Sequence, residues 1–132
     1  MHFTHAIVCP PCNNFIYGIT TASLGKPNYL NALVQHQEYV ELLEKMGLEI
    51  TVLSPDDDYP DSTFVEDTAV LLSPCVIVSN PGAESRRGEI NSVEQLLKKK
   101  FIEIEKIVEP ATLDGGDVLE AGICFYIGIS ER

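Results

Sequence analysis

The sequence predicts an α/β protein, because β-prone stretches alternate with amphipathic helical stretches along its 132 residues. Residues 28–46 place apolar side chains at steps of three or four, and Gly47 follows at the position where a helix commonly ends. Short stretches rich in Val, Ile and Leu at residues 4–8 and 48–53 flank this helix and predict strands. A second amphipathic stretch, residues 89–100, ends in three lysines that suit the negative end of a helix dipole.

The other predicted elements follow from turn signals and from hydrophobic alternation. They are a long loop at 13–26, an acidic turn at 54–61, a hairpin of strands 64–72 and 76–79 across Ser73 and Pro74, a strand at 101–108, and a hairpin of 118–119 with 124–129 across Ala121 and Gly122. The order is strand, helix, strand, hairpin, helix, strand, hairpin. It indicates one supersecondary unit repeated a little over twice.

Composition indicates a single domain over residues 1–132 and excludes several classes of function. The formal net charge of -11 argues against nucleic acid and against an anionic membrane surface as partners, because both need a basic face. No apolar run approaches a membrane span, and the N-terminus lacks the pattern of a signal peptide, which predicts a cytoplasmic protein. Cys9 and Cys12 have the spacing of a metal or redox pair, but two prolines separate them and reduced thiols are the favoured interpretation. We expect neither a metal nor a cofactor.

Two acidic motifs lie in strongly apolar surroundings, FVED at residues 64–67 and DGGD at 114–117. Burying an unpaired carboxylate is costly, so the motifs predict either a cationic ligand or structural ion pairs and capped turns. In a regular strand Glu66 and Asp67 would point to opposite faces, with Asp67 and Asp61 on the pocket side. A bulge or a strand end would bring Glu66 and Asp67 together.

The arginines offer the complementary charge. Arg86 and Arg132 can each bind a carboxylate through two hydrogen bonds, although a lone surface arginine is usually only solvated. Acids at one end and arginines at the other predict a zwitterionic ligand, and an amino acid with a guanidinium side chain fits that description.

The segments FTHAIV, QHQEY, LSPDDDYPDSTFVEDTAV, NPGAESRRGEI, ATLDGGDVL and YIGISER resemble the N-terminal half of dimethylarginine dimethylaminohydrolases, in order and over essentially the whole chain. That family belongs to the guanidino-group-modifying, or amidinotransferase, superfamily. The resemblance implies the N-terminal part, about two and a half modules, of a five-fold pseudosymmetric α/β-propeller. It also implies hydrolysis of Nω-methylated arginine to citrulline and methylamine or dimethylamine through a cysteine thiouronium intermediate.

The resemblance also implies roles for individual residues. The roles are the catalytic-triad acid for Asp114, guanidinium binding for Asp67 and its neighbour Glu66, α-amino binding for Asp61 and the carbonyl near Ile19, and carboxylate binding for Arg86 and Arg132.

Two departures from the family pattern leave alternatives open. Cys9 and Asn80 stand where the family usually has arginine. A sibling arginine deiminase or citrulline hydrolase is therefore the alternative function. The family's catalytic histidine and cysteine match no residue here and are expected beyond Arg132, so the chain alone should be inactive. A non-catalytic arginine-binding or assembly subunit is the third interpretation. Apolar strands over 118–129 predict self-association or a missing C-terminal half.

Overall fold

The computed structural model describes residues 3–72 and 75–129. Contacts divide the chain into two compact units, Met1–Thr63 and Phe64–Arg132. Both units combine helix and strand, so the α/β class is confirmed, whereas the single-domain boundary stays a prediction. Within the described ranges no helix combines the length and the apolar character needed to cross a membrane.

The first unit is a β-α-β arrangement. Strand β1 (His5–Val8) pairs in parallel with β2 (Glu49–Val52), and helix α1 (Tyr29–Lys45) connects them. Asn28 caps the helix by accepting a hydrogen bond from the Asn31 amide at 2.9 Å. Gly47 has a φ of 88°, which lets the chain reverse directly into β2. The predicted helix and both strands are confirmed to within about two residues.

The second unit repeats this arrangement with an added hairpin. Its elements are β3 (Ala69–Leu71), β4 (Val76–Val78), α2 (Ile90–Lys100), β5 (Ile104–Lys106), β6 (Val118–Ala121) and β7 (Cys124–Ile127). Strand β4 lies between antiparallel β3 and parallel β5, and β6 pairs with β7 in an antiparallel hairpin. The predicted turn at Ser73 and Pro74 lies outside the described residues.

Helix α2 packs on the three-stranded sheet through a small apolar core. Val76, Val78, Val93 and Leu97 are almost completely buried there. Glu94 is also buried and is paired with Lys98 at 2.5 Å and with Lys106 of β5 at 2.7 Å, so an ionic contact ties the helix to the sheet edge.

The strand predicted over residues 64–72 is wrong in its first half. Val65–Thr68 form a 3-10 helix, and only Ala69–Leu71 are strand. The Thr68 hydroxyl donates a hydrogen bond to the Val65 carbonyl at 2.6 Å, and the Asp67 amide donates to the Phe64 carbonyl at 3.1 Å. These local hydrogen bonds compete with strand pairing, so the alternation expected of Glu66 and Asp67 does not apply.

Candidate active site

Asp67 lies at the centre of the candidate site in the second unit. Its side chain is 19% exposed, and each carboxylate oxygen accepts one hydrogen bond. The Gly116 amide donates to Oδ1 at 3.2 Å, and Arg86 Nη1 donates to Oδ2 at 2.6 Å. The carboxylate is therefore fixed in orientation by one backbone group and one guanidinium.

Arg86 is itself fixed by Glu89 on the same 3-10 helix, Glu84–Glu89. The Arg86 guanidinium contacts both oxygens of Glu89 through Nε at 3.1 Å and contacts Oε2 through Nη2 at 2.7 Å. The Glu89 side chain is 1% exposed. Burial disfavours the charged form of Arg86, but the hydrogen bonds and charges of Glu89 and then Asp67 outweigh it, so the pKa of Arg86 lies above its ordinary value.

The carboxylate-binding role of Arg86 stays a prediction. In this structure its guanidinium forms an ion pair with Asp67. The physical reason is that Asp67 is mostly buried, and such a carboxylate takes up the nearest cation the fold can supply. Sequence reasoning did not identify Glu89 as part of this group, although its spacing of three from Arg86 on one helical face was a usable signal.

The two glycines of the DGGD motif bring it against the FVED motif. They lie in the short 3-10 helix Gly115–Asp117. A Cβ on Gly115 would overlap the Glu66 and Ala69 carbonyl oxygens, and a Cβ on Gly116 would overlap the Asp67 carboxylate. The two glycines thus let the backbone of one acidic motif approach the other closely. Glu66 is exposed and lies beside Gly116.

Asp114 borders a cavity of about 190 Å³. Thr112, Leu113, Asp117, Ile127, Gly128 and Ile129 complete its lining. Asp114 is 6% exposed, and its side chain does not cap the helix that follows it. Among the described residues no hydrogen bond or ion pair reaches this carboxylate. Because Asp114 lines the cavity, a donor group that enters the cavity can reach its carboxylate.

In the first unit the structure brings Asp61 and Ile19 together. The Ile19 amide donates to both oxygens of the buried Asp61 carboxylate, at 3.2 and 3.0 Å. Gly18 allows this contact, since a Cβ there would overlap Asp61. The predicted α-amino contacts of Asp61 and of the carbonyl near Ile19 stay predictions. Arg132 lies outside the described residues.

The cysteine pair lies in the first unit and is buried. Cys9 Sγ lies 3.7 Å from the Ser54 carbonyl, and Cys12 Sγ lies 3.8 Å from the Tyr59 carbonyl. Burial raises the pKa of the Cys12 thiol, which disfavours the reactive thiolate. Across residues 3–72 and 75–129 no group of three or more His, Cys, Asp or Glu side chains is placed to hold a metal ion.

Together the fold and the acidic site define an α/β protein of the superfamily that modifies guanidino groups, the amidinotransferase superfamily. More specifically, the family model for eukaryotic N,N dimethylarginine dimethylhydrolase matches residues 19–132. The chain belongs to the dimethylarginine dimethylaminohydrolase family, and the family prediction is confirmed.

Three similar proteins support this membership. An N(G),N(G)-dimethylarginine dimethylaminohydrolase of Pseudomonas aeruginosa is 42% identical over 98% of this chain and 52% of its own length. A Streptomyces coelicolor protein of the same name is 40% identical over 96% of this chain and 50% of its own length. A solved structure of the Pseudomonas aeruginosa protein, a variant in complex with citrulline, is 41% identical to this chain and superposes with a TM-score of 0.97. The match covers 100% of this chain and 52% of that one. The chain thus spans about half the length of the curated relatives it matches.

Proposed function

We propose that this chain supplies the acidic, substrate-binding part of an enzyme that hydrolyses Nω,Nω-dimethylarginine to citrulline and dimethylamine. The observation that carries the proposal is the state of the Asp67 carboxylate. A carboxylate has about four lone-pair positions, and the described contacts to Gly116 and Arg86 occupy one on each oxygen. One position on each oxygen is left for a planar guanidinium with two parallel donors, and the side chain is partly accessible.

In this proposal Asp67 binds the guanidinium head group, and Glu66 adds negative charge beside it. Asp114 orients a catalytic imidazole, and its cavity is of the size that accepts a planar ring. That imidazole would come from outside this chain, because none of the three histidines, His2, His5 and His36, matches the family's histidine. The assignments of Asp61 and Ile19 to the α-amino group, and of Arg132 to the carboxylate, rest on the resemblance to the family and stay predictions. Arg86 is likewise proposed, from that resemblance, to bind the carboxylate.

The proposed chemistry is covalent catalysis by a cysteine thiolate, also from outside this chain. The thiolate attacks the guanidinium carbon and forms a C–S bond. The C–N bond to dimethylamine breaks, and the departing nitrogen takes a proton from the imidazolium. Water then adds to the S-alkylthiouronium carbon and gives one proton to the imidazole, which restores the imidazolium. The C–S bond breaks, a second proton passes to solvent, and citrulline and the thiolate are released. A chain that holds only the acid of this triad is proposed to bind ligand without turnover.

The repeated β-α-β arrangement of the two units supports the further proposal of an incomplete five-fold α/β-propeller. The exposed hairpin of β6 and β7 supports association with a second polypeptide. That polypeptide is either another copy of this chain or a segment equivalent to the C-terminal half of the family's proteins. The apolar side chains Leu119, Phe125, Tyr126 and Ile127 of the hairpin are exposed. If copies associate, light scattering should show a dimer or larger species, and Leu119→Lys should weaken that association. A parent chain that is monomeric at high concentration would contradict association between copies.

Calorimetric titration with dimethylarginine tests the proposed function. The parent chain should bind the ligand with one saturable site, and Asp67→Asn should weaken binding about 10- to 100-fold, because a hydrogen-bonded charge is lost. Glu105→Gln is the matched control, since it removes one carboxylate from an exposed position on β5. Failure of the parent to bind, or equal losses in both variants, would contradict the proposal. Citrulline release by the chain alone would contradict the assignment of the thiolate and imidazole to another segment.

A further inference from the structure

We propose that Asp57 is a positioning residue, which holds the segment that carries Ile19 against Asp61 and so preforms the subsite for the α-amino group of the ligand. This inference rests on the proposed function, which assigns Asp61 and the carbonyl near Ile19 to that group, and it adds a residue to that subsite. Asp57 itself does not contact the ligand. It acts through the backbone of the first unit.

Two short segments of the first unit meet at this place. One is the 3-10 helix Asn13–Tyr17, which ends at Gly18 and is followed directly by Ile19. The other is the acidic turn at residues 54–61, which ends at Asp61. Because Ile19 and Asp61 lie at the same end of the two segments, contacts nearer the start of each segment influence how these two residues are held.

Asp57 joins the two segments at the start of the 3-10 helix. Its carboxylate accepts a hydrogen bond from the Asn13 amide at 3.0 Å, and the Asn13 side chain donates to both of its oxygens at 3.4 and 3.2 Å. Its carbonyl accepts a hydrogen bond from the Asn14 side chain at 2.8 Å. The side chain and the backbone of Asp57 therefore both bind the first turn of the helix.

The segments are joined again just beyond the end of the helix, where the Ile19 amide donates to both oxygens of Asp61. The acidic turn is closed by hydrogen bonds of its own, from the Tyr59 amide to the Asp56 carbonyl at 3.1 Å and from the Ser62 amide to the Tyr59 carbonyl at 3.0 Å. A short helix held at both ends keeps one orientation, whereas a helix held at a single end can turn about that contact.

Loss of the Asp57 contacts would lower the fraction of molecules in which the α-amino subsite is formed. A ligand that binds only the formed subsite then has an apparent dissociation constant raised by the inverse of that fraction. The contact between Asn13 and Asp57 is exposed, so water competes with it and the effect is moderate. Loss of one such hydrogen bond to a charged group corresponds to about a five- to tenfold change in the dissociation constant.

Two ligands separate this role from a merely structural one. Dimethylarginine has an α-amino group, whereas its deaminated analogue keeps the dimethylguanidino group and the carboxylate and has no amine. General destabilisation of the chain would weaken the binding of both ligands alike. A loss confined to the α-amino subsite weakens the binding of dimethylarginine alone, so the ratio of the two dissociation constants reports the positioning role.

Calorimetric titration of the parent chain and of Asp57→Ala with both ligands tests the inference. The preference for dimethylarginine over the deaminated analogue should fall about fivefold or more in Asp57→Ala. Asp58→Ala is the matched control, because Asp58 is the next acidic residue of the same exposed turn. Its backbone amide donates to the Asp56 side chain, and this hydrogen bond survives the substitution. The preference of the control should stay within about twofold of the parent.

Two further variants extend the test. Asp57→Asn keeps an oxygen that accepts from the Asn13 amide, so its preference should stay within about twofold of the parent despite the lost charge. Asn14→Ala keeps the inference testable if Asp57→Ala does not fold. It removes the hydrogen bond to the Asp57 carbonyl and should lower the preference about threefold. Hydrogen exchange of the Ile19 amide should become faster in both alanine variants, because that amide donates to Asp61 only when the segments are held together.

Three results would overturn the inference while leaving the proposed function intact. They are an unchanged preference in Asp57→Ala, an equal fall in Asp58→Ala, and a fall in Asp57→Asn as large as that in Asp57→Ala. A parent chain that binds both ligands equally would overturn the α-amino role of Asp61 and this inference. A parent chain that binds neither ligand would overturn the proposed function and this inference with it.

Discussion

Gly115→Ala tests whether the two acidic motifs are held together as the structure shows. The added methyl group would overlap the carbonyl oxygens of Glu66 and Ala69. Both are backbone atoms, and Ala69 begins strand β3, so neither can move aside without shifting the 3-10 helix or the sheet. The variant should therefore separate the segment that carries Asp114 from the one that carries Asp67.

The magnitude follows from two opposing effects. Overpacking a tight contact costs about 1–3 kcal/mol. The loss of glycine from the unfolded chain returns about 0.4–1 kcal/mol. Both overlaps are with backbone atoms at under 3 Å, so the upper part of the overpacking range applies, about 2–3 kcal/mol. The net loss in the free energy of unfolding should be about 1–2.5 kcal/mol, which lowers the melting temperature by several degrees in a chain of this length.

Urea denaturation of Gly115→Ala beside Gly128→Ala provides the assay. Gly128 is the control because a Cβ there makes only ordinary contacts with Asp117, at 3.6 Å and beyond. The control should unfold within about 0.5 kcal/mol of the parent. If Gly115→Ala were as stable as Gly128→Ala, the close approach of the two motifs would be refuted.

Three further predictions concern the first unit and the thiols. Burial lowers the pKa of His36, with a smaller opposing effect of a backbone hydrogen bond to Cys9, so its contribution to stability is complete above about pH 6.5 and is lost as the pH falls toward the folded-state pKa. His36→Gln should remove that part of the pH dependence of urea denaturation between pH 7 and 5, and identical slopes in parent and variant would contradict this. Gly47→Ala should cost about 1 kcal/mol in the same assay because of the positive φ, and an equally stable variant would show that the helix does not need glycine there. In native protein an alkylating reagent should modify the exposed Cys124 well before the buried Cys12, as followed by mass spectrometry, and equal rates would contradict the burial.

Elements specified by local sequence were predictable. Helix α1 follows from its apolar period, and both of its ends are set by neighbouring residues, Asn28 and Gly47. The hairpin of β6 and β7 likewise follows from apolar alternation around Gly122, whose φ of 67° suits the turn. In each case the residues that decide the conformation lie within one or two turns of chain.

Features set by long-range contacts were not predictable from the pattern. The stretch around Asp67 is rich in β-prone residues, yet it is fixed as a 3-10 helix against Gly116, which is 49 residues away in sequence. The pair of Arg86 with Asp67 joins residues 19 apart and depends on how two segments pack. No hydrophobic period encodes such a pairing, because tertiary contacts override local propensity.

The central claim is that a guanidinium binds at the Asp67 carboxylate, beside the Gly116 amide. Nuclear magnetic resonance tests it most directly, by following the Asp67 carboxyl carbon and the Gly116 amide while dimethylarginine is added to isotope-labelled protein. Both signals should shift and saturate together with one dissociation constant, whereas the exposed Glu105 carboxyl carbon should not shift. Saturable shifts confined to other residues, with the Asp67 and Gly116 signals unmoved, would contradict it.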